Sequence, residues 1–276
     1  MCAVGDNMMD RYLASGTMYP GGGAVNVAVH ASRAGARAGY VGLIGDDDAG
    51  DLVVSALHSE GVETSRCRRV AEPNAVTDVA ISETGERTFV SYTTPAAVLE
   101  LSATDRAHLE ACDWVYTNYS SATEHLVPAL ADLAPLAFDF SYKEMTYAAP
   151  LLPHVDIAAF SRSSLDEAGC RELIAETHAR GPRYVIVTRG PAGTLVGVPA
   201  GVLVHAAEPV DVVDTLGAGD AYLARFVCGV FGGEDPPDAA RAAGHAAAQV
   251  CRSAGAFGHP YPSPLGKERN DINLGA

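Results

Sequence analysis

Positive charge is scarce in this chain. Its 276 residues hold 19 Lys and Arg against 34 Asp and Glu, a formal net charge of −15, and the lysines number two, Lys143 and Lys267. A surface so negative repels phosphodiester backbones and anionic bilayers, which argues against nucleic acid and membrane surfaces as partners. No apolar run reaches the ~20 residues of a membrane span, and the opening MCAVGDNMMDRY lacks a basic segment followed by an apolar one. The expected location is the cytoplasm. The six cysteines (Cys2, Cys67, Cys112, Cys170, Cys228 and Cys251) form no CxxC pair, and no Cys/His cluster has metal-ligand spacing. They are expected to be reduced thiols, mostly core filler. The nine histidines include no HExxH, so no zinc site is predicted. Two common phosphate-binding signatures are also missing. The sole Gly-Lys pair, Gly266-Lys267, is followed by Glu268 where a P-loop needs Ser or Thr, and Tyr222 stands where a dinucleotide fingerprint needs its third glycine.

What is present is a hydrophobic share of 48%, enough for a substantial core, arranged in alternating patterns. Short apolar runs at Ala3 to Gly5, Ala38 to Ile44, Trp114 to Tyr116, Leu136 to Asp139, Ile157 to Phe160 and Tyr184 to Thr188 read as buried strands. Helical spacing marks Ala24 to Ala34, Ala49 to Glu60, Leu165 to Ala179, Ala218 to Phe231 and Pro236 to Val250. The alternation predicts a mostly parallel sheet covered by helices, an α/β fold in a single domain over residues 1–276. Ala75 to Ser82 and Arg87 to Tyr92 break that rhythm, with strand composition around a turn at Glu83-Thr84-Gly85-Glu86. With the irregular stretch from Arg11 to Pro20 they suggest a small β lid, from about 11–20 and 67–95. Arg87, Phe89 and Tyr92 are placed on one face of its second strand, candidates to touch substrate or, in a homodimer through the lid, a second copy. The tail from Tyr261 to Ala276 has no periodicity and is expected to pack loosely.

The chemistry is concentrated at Asp214-Thr215-Leu216-Gly217-Ala218-Gly219-Asp220, between a β-like run, Val210 to Val213, and the apolar helix from Ala221. Glycines at 217 and 219 admit a ligand close to the backbone, and the first amides of a helix lack intrahelical partners, so this turn reads as an anion site. Asp220 follows directly. A carboxylate there repels a bound phosphate, so it reads either as a helix cap or as a group that takes a proton beside the phosphate.

DTLGAGD resembles the DTxGAGD signature of the ribokinase-like (PfkB) carbohydrate kinases. Gly21-Gly22-Gly23-Ala24-Val25-Asn26-Val27-Ala28 is similar to that family's GGxxxNxA element, Val41 to Gly50 to its VGxxGxDxxG stretch, and Val187-Thr188-Arg189-Gly190-Pro191-Ala192-Gly193 to its VTxGxxG loop. The resemblance spans roughly residues 3–257. It implies a three-layer α/β/α ribokinase-like fold with a small β-sheet lid. The activity it implies is ATP-dependent phosphorylation of a small sugar, with Asp220 as base and the amides of Gly217, Ala218 and Gly219 as the anion hole. Asp10, Gly22 and Asn26 match sugar-side positions, and Arg87 is added as a substrate contact from the lid. Thr188, Gly190, Gly193, Thr215, Gly217 and Gly219 match nucleotide-side positions. Magnesium is expected with ATP, and a monovalent cation is left open as a further ligand. The family's magnesium-linked NxxE is replaced by Ser161-Arg162-Ser163-Ser164-Leu165-Asp166-Glu167. Asp166 or Glu167 holding water on the metal stands against an ordinary acidic first turn capped by Ser163 or Ser164.

The set GDNMMD, GGGAVNVA, GDDDAG, AFDFS and DTLGAGD resembles the fructoselysine 6-kinase branch more than the ribokinase, adenosine kinase or fructokinase branches. That branch implies transfer to the 6-hydroxyl of a fructosamine. Fructokinase- or ribokinase-type and nucleoside kinase activities are the alternatives, and a non-catalytic sugar-binding regulator is a further one. Asp139 in AFDFS closes a strand near the expected phosphate side, and Lys143 just after it is a candidate point charge for phosphate.

Overall fold

The computed structural model describes residues 1–81 and 87–264, with side chains omitted for residue 81 and residues 87–89. The main strands are β1 (Cys2–Val4), β4 (Gly39–Gly45), β5 (Glu63–Val70), β8 (Val115–Asn118), β9 (Leu136–Ser141), β10 (Ile157–Ser161), β11 (Tyr184–Thr188), β12 (Thr194–Val198) and β13 (Gly201–His205). They form one sheet in the order β13-β12-β11-β10-β9-β8-β1-β4-β5, parallel except for β12 and β13. A second sheet of order β14-β3-β2-β6-β7 joins β2 (Met8–Tyr12), β3 (Thr17–Gly21), β6 (Val76–Ile81), β7 (Arg87–Thr93) and β14 (Tyr261–Pro262).

Helices cover both faces of the main sheet. One layer holds α1 (Gly23–Arg33), α2 (Asp48–Ser59), α7 (Ala218–Phe231) and α8 (Pro236–Val250), and the other α3 (Ala103–Glu110), α4 (Val127–Leu133), the short α5 (Met145–Ala148) and α6 (Glu167–His178). The period-two pattern of the strands decides which layer each side chain joins. Ala137, Ile157, Ala159 and Ile186 pack with α1 and α7, while Phe138, Phe140, Ala158, Phe160 and Val187 pack with α4 and α6. The larger residues fill the second layer, where Phe138 and Phe140 lie 4.4 Å apart and Phe140 stacks on Phe160 at 5.1 Å. Each such ring, fully buried, contributes about 1.5–3 kcal/mol.

The predicted helices and parallel strands fall where the periodicity places them. Four expectations are corrected. Val210 to Val213 is not a strand: Val212 and Val213 are exposed, and the segment bonds to the chain near α8 through Val213 N to Cys251 O at 2.8 Å. Cys67 to Val70 belong to β5 in the main sheet, not to the appended one, because Cys67, Arg68 and Arg69 continue the parallel ladder with Gly42, Leu43 and Ile44. The second sheet begins earlier than expected, at Met8, and the start of the tail is ordered into it, with Tyr261 paired to Met18. The expected turn at Glu83 to Glu86 and Lys267 lie outside the described residues. All six cysteines are free, as expected. Among the described residues no helix is long and apolar enough to cross a membrane.

Candidate active site

The parallel strands all end on one edge of the main sheet, where α/β folds collect their ligand groups. β1 stops at Val4 and the chain turns through Gly5 into Asp6. Its carboxylate accepts hydrogen bonds from the N–H groups of Gly23 and Ala24 (both 3.0 Å), from Asn118 Nδ2 (2.9 Å) and from the hydroxyls of Ser120 and Ser121 (3.0 and 2.9 Å). Gly23 and Ala24 open α1, whose N-cap position is Gly22 with no side-chain cap. Asp6 therefore caps the helix from a neighbouring strand end.

One turn into α1, Asn26 points across to α7, and its Nδ2 donates to Asp220 Oδ2 at 2.8 Å. Its other amide atom, Oδ1, is buried without a hydrogen-bond partner, an arrangement native structures rarely leave unless a ligand completes it. Asp10, 2% exposed on β2, lies close by. A Cβ on Gly21 would stand 2.2 Å from Asp10 Oδ2 and 3.9 Å from Asn26 Oδ1, so a side chain at 21 would displace Asp10 and would just touch Asn26.

The turn before α7 is built around Asp214. Its buried carboxylate accepts from Leu216 N at 2.9 Å, from Gly255 N at 3.0 Å and from the Tyr12 hydroxyl of the second sheet. Gly217 then takes φ 77°, and a Cβ there would meet Ala256 Cβ at 2.6 Å, so both backbone and space require glycine. Gly219 faces open space, with nothing within 4 Å of where its Cβ would be. The Ala218 amide turns back to Thr215 O at 3.3 Å. The amides of Gly217, Gly219 and Asp220 meet no acceptor among the described residues, so of the expected trio Gly217, Ala218 and Gly219 only the Ala218 amide is turned away, and free donors and a helix dipole remain at the turn.

Three more carboxylates surround Asp220. Burial first, then the charge of Asp139 and more weakly those of Asp6 and Asp10, push its carboxyl well above the ordinary range, against the Asn26 hydrogen bond. Asp139 is itself pushed up to about 6, chiefly by burial and also by Asp6, with the Ser141 N–H (2.7 Å) and Arg162 opposing. Between them lies Tyr116, fully buried, with a hydroxyl that has no hydrogen-bond partner and is held protonated by burial and by Asp139, Asp220 and Asp6.

The structure thus gathers Asp10, Gly22, Asn26, Asp220 and the Gly217 to Gly219 turn into one neighbourhood, where the starts of α1 and α7 meet β2. Thr188, Gly190 and Gly193 form the loop after β11 on the same sheet edge, closed by Arg189 N to Gly193 O at 2.8 Å, and Thr215 is exposed at the mouth of the glycine turn. Among the described residues no hydrogen bond ties that loop to α7. Arg87 opens β7, but its side chain lies outside the described residues.

Asp166 and Glu167, the candidates for holding water on magnesium, both make local contacts in α6. Asp166 is the N-cap of α6, accepting from Gly169 N at 2.8 Å, and Glu167 pairs with Arg171 at 2.7 Å. The cap is therefore Asp166 rather than Ser163 or Ser164. Asp6 and Tyr116 were not singled out from sequence. The signal for Asp6 is a carboxylate one residue past a strand-ending glycine, whereas nothing in the local sequence of Tyr116 separates it from core.

Solved structures share this architecture. Ribokinase from Thermotoga maritima superposes with a TM-score of 0.78 at 21% identity, covering 93% of this chain and 94% of that one. Arabidopsis thaliana ribokinase, complexed with ribose and ATP, does so at 0.80 and 22% identity, covering 93% of each chain. The fold is the ribokinase-like one. At the level of sequence, the pattern of the pfkB family carbohydrate kinases matches residues 5–263. Fructosamine kinase FrlD of Bacillus subtilis (strain 168) is 35% identical, with 96% of this chain and 95% of that protein covered. Fructoselysine 6-kinase of Escherichia coli (strain K12) is 35% identical over 93% of this chain and 99% of that protein. The chain belongs to the pfkB family of carbohydrate kinases.

Proposed function

We propose that this carbohydrate kinase transfers the γ-phosphoryl group of ATP to the 6-hydroxyl of a fructosamine such as fructoselysine, with Asp220 as the general base. The observation that supports it most is the pairing of an elevated carboxyl, Asp220, with unpartnered amides at the start of α7. A base beside an anion site suits a hydroxyl that must lose a proton as it bonds to phosphorus. Asn26 orients the carboxylate, and its buried Oδ1 and the Asp10 carboxylate are acceptors for sugar hydroxyls. The Asp220 carboxylate takes the hydroxyl proton as the new O–P bond forms and the bond to the ADP oxygen breaks. The amides of Gly219 and Asp220 carry the phosphoryl charge, and an electrostatic contribution of this kind is often the largest single one in such reactions. The loop holding Thr188, Gly190 and Gly193, together with Thr215, takes the nucleotide.

The second sheet acts as a lid over the sugar. Its link to the catalytic turn is the Tyr12 hydroxyl on Asp214, which couples the position of β2, and of Asp10 two residues earlier, to the start of α7. The fructosamine preference is supported by the two relatives, a fructosamine kinase and a fructoselysine 6-kinase.

The test is coupled ADP release with fructoselysine, other fructosamines, fructose, ribose and adenosine at fixed ATP. Higher kcat/KM for the fructosamines supports the assignment, and equal or reversed preference moves the chain to a general sugar or nucleoside kinase. ATP turnover that no sugar stimulates would leave a sugar-binding protein without kinase function.

A further inference from the structure

Beyond the end of β9, tyrosines gather around one of the two lysines. Lys143, just beyond β9, sets its ammonium 5.3 Å from the ring centroid of Tyr119, 5.3 Å from that of Tyr142 and 5.4 Å from that of Tyr147. Tyr119 and Tyr142 meet edge to face at 5.1 Å. Lys143 has no carboxylate partner among the described residues, although acidic side chains outnumber basic ones almost two to one, 34 to 19. A cation held over ring faces keeps its N–H donors for something else.

The second sheet completes the arrangement. Its register places Asp10 opposite Thr77, and Thr77 opposite Tyr92, so these residues lie side by side across β2, β6 and β7 and share a face. Neighbouring strands are about 4.8 Å apart, which puts Tyr92 roughly 10 Å along the sheet from Asp10. Tyr92 is 62% exposed and Tyr142 59% exposed, large aromatic side chains at the surface near a buried carboxylate, Asp10. The Tyr92 hydroxyl is pushed up by partial burial and then by Tyr142 and Asp10, both of which lie near it. Tyr119 directly follows Asn118, whose amide holds Asp6. Lys143 therefore opens toward β8 and the second sheet. The Thr188 to Gly193 loop lies two strands away in the other direction, after β11.

We propose that Tyr92, Tyr119, Tyr142 and Lys143 form a subsite for the amino-acid portion of a fructosamine, with the Lys143 ammonium pairing with its carboxylate and the tyrosine rings covering its methylene chain. The inference rests on the fructosamine reading above and adds the residues that would enforce it. Free fructose has nothing to place there. An alkyl fructosamine without a carboxylate fills the aromatic part and leaves the lysine unpaired. The competing role for Lys143 is a contact to the transferring phosphate.

The experiment compares wild type, Lys143→Met and Lys143→Arg on fructoselysine, on butylamine-derived fructosamine and on fructose, measuring KM and kcat for each sugar and KM for ATP. Melting temperatures check the fold, since methionine keeps the stem packed against the rings. Lys143→Met is expected to raise KM for fructoselysine about tenfold or more, the scale of a lost charge-assisted hydrogen bond, and to move KM for the butylamine compound less than about twofold. Lys143→Arg recovers most of the loss. A uniform fall in kcat on all three sugars, or a raised KM for ATP, assigns Lys143 to phosphate and overturns the subsite. If wild type prefers fructoselysine but Lys143→Met changes KM for the two fructosamines by the same factor, the subsite fails while the substrate assignment stands. If wild type turns over no fructosamine better than fructose, both fall.

Discussion

Asp139→Asn is expected to make the protein more stable and to change its pH dependence at the same time. The carboxyl of Asp139 is raised from its ordinary 3.8 to about 6 in the folded chain, mainly by burial. Between those values the native state binds more protons than the unfolded state, so stability falls as pH rises from about 4 through 6. Above pH 7 the folded protein carries the full cost of an ionised, partly buried carboxylate, which is roughly 3 kcal/mol for that displacement. Asp139 is only half-buried, and solvent relaxation around it reduces the figure to about 1–3 kcal/mol. Asparagine has no such cost and can still accept the Ser141 N–H, so Asp139→Asn is expected to melt roughly 3–10 °C higher at pH 8. At pH 4, where the folded carboxyl is protonated and the unfolded one only about half ionised, most of the difference should have disappeared. Melts by circular dichroism between pH 4 and 8 measure this directly. The same substitution removes the largest charge effect raising Asp220, so the acid limb of kcat/KM should move to lower pH. A variant that melts with wild type at pH 8, or whose stability difference does not change with pH, would refute the electrostatic reasoning.

Two further substitutions probe the turn itself. Asp220→Asn is expected to keep the fold and ATP binding and to lose about 10²- to 10⁴-fold in kcat, the usual span for a positioned general base; near-normal sugar-dependent ADP release would reduce Asp220 to a helix cap. Gly217→Ala places a side chain at φ 77°, 2.6 Å from Ala256 Cβ. It is expected to cost about 1–3 kcal/mol and lower the melting temperature by several degrees, together with activity; unchanged melting would show that the glycine turn tolerates a side chain.

The local elements of the main sheet were legible because their signals are local. Continuous apolar runs at Ile157 to Phe160 and Tyr184 to Thr188 can be buried on both faces only as interior parallel strands, and α7 and α8 begin and end where helical spacing does. Misreadings occurred where composition and contact disagree. Val210 to Val213 has the composition of a strand, but β13 already forms that edge of the sheet, and Val212 and Val213 are left exposed. β5, rich in arginine, carries no buried-strand signature, because as an edge strand it can direct Arg68 to Asp105 and Arg69 to Asp51 at the surface.

The residue types and order of the candidate site follow from the chain alone: a glycine turn, a carboxylate behind it, and a diglycine helix start carrying Asn26. That much is local stereochemistry, since positive φ and free helix amides depend on a few neighbours. Folding adds everything that spans distance. It brings Asn26 to Asp220 across 194 positions, makes Asp6 the cap of a helix 17 residues away, and packs four carboxyl groups close enough to raise two of them. It also sets Tyr92 in register with Asp10, and Tyr119 against Tyr142 and Lys143. Charge interactions and strand register depend on separation in space, and separation along a sequence carries no record of either.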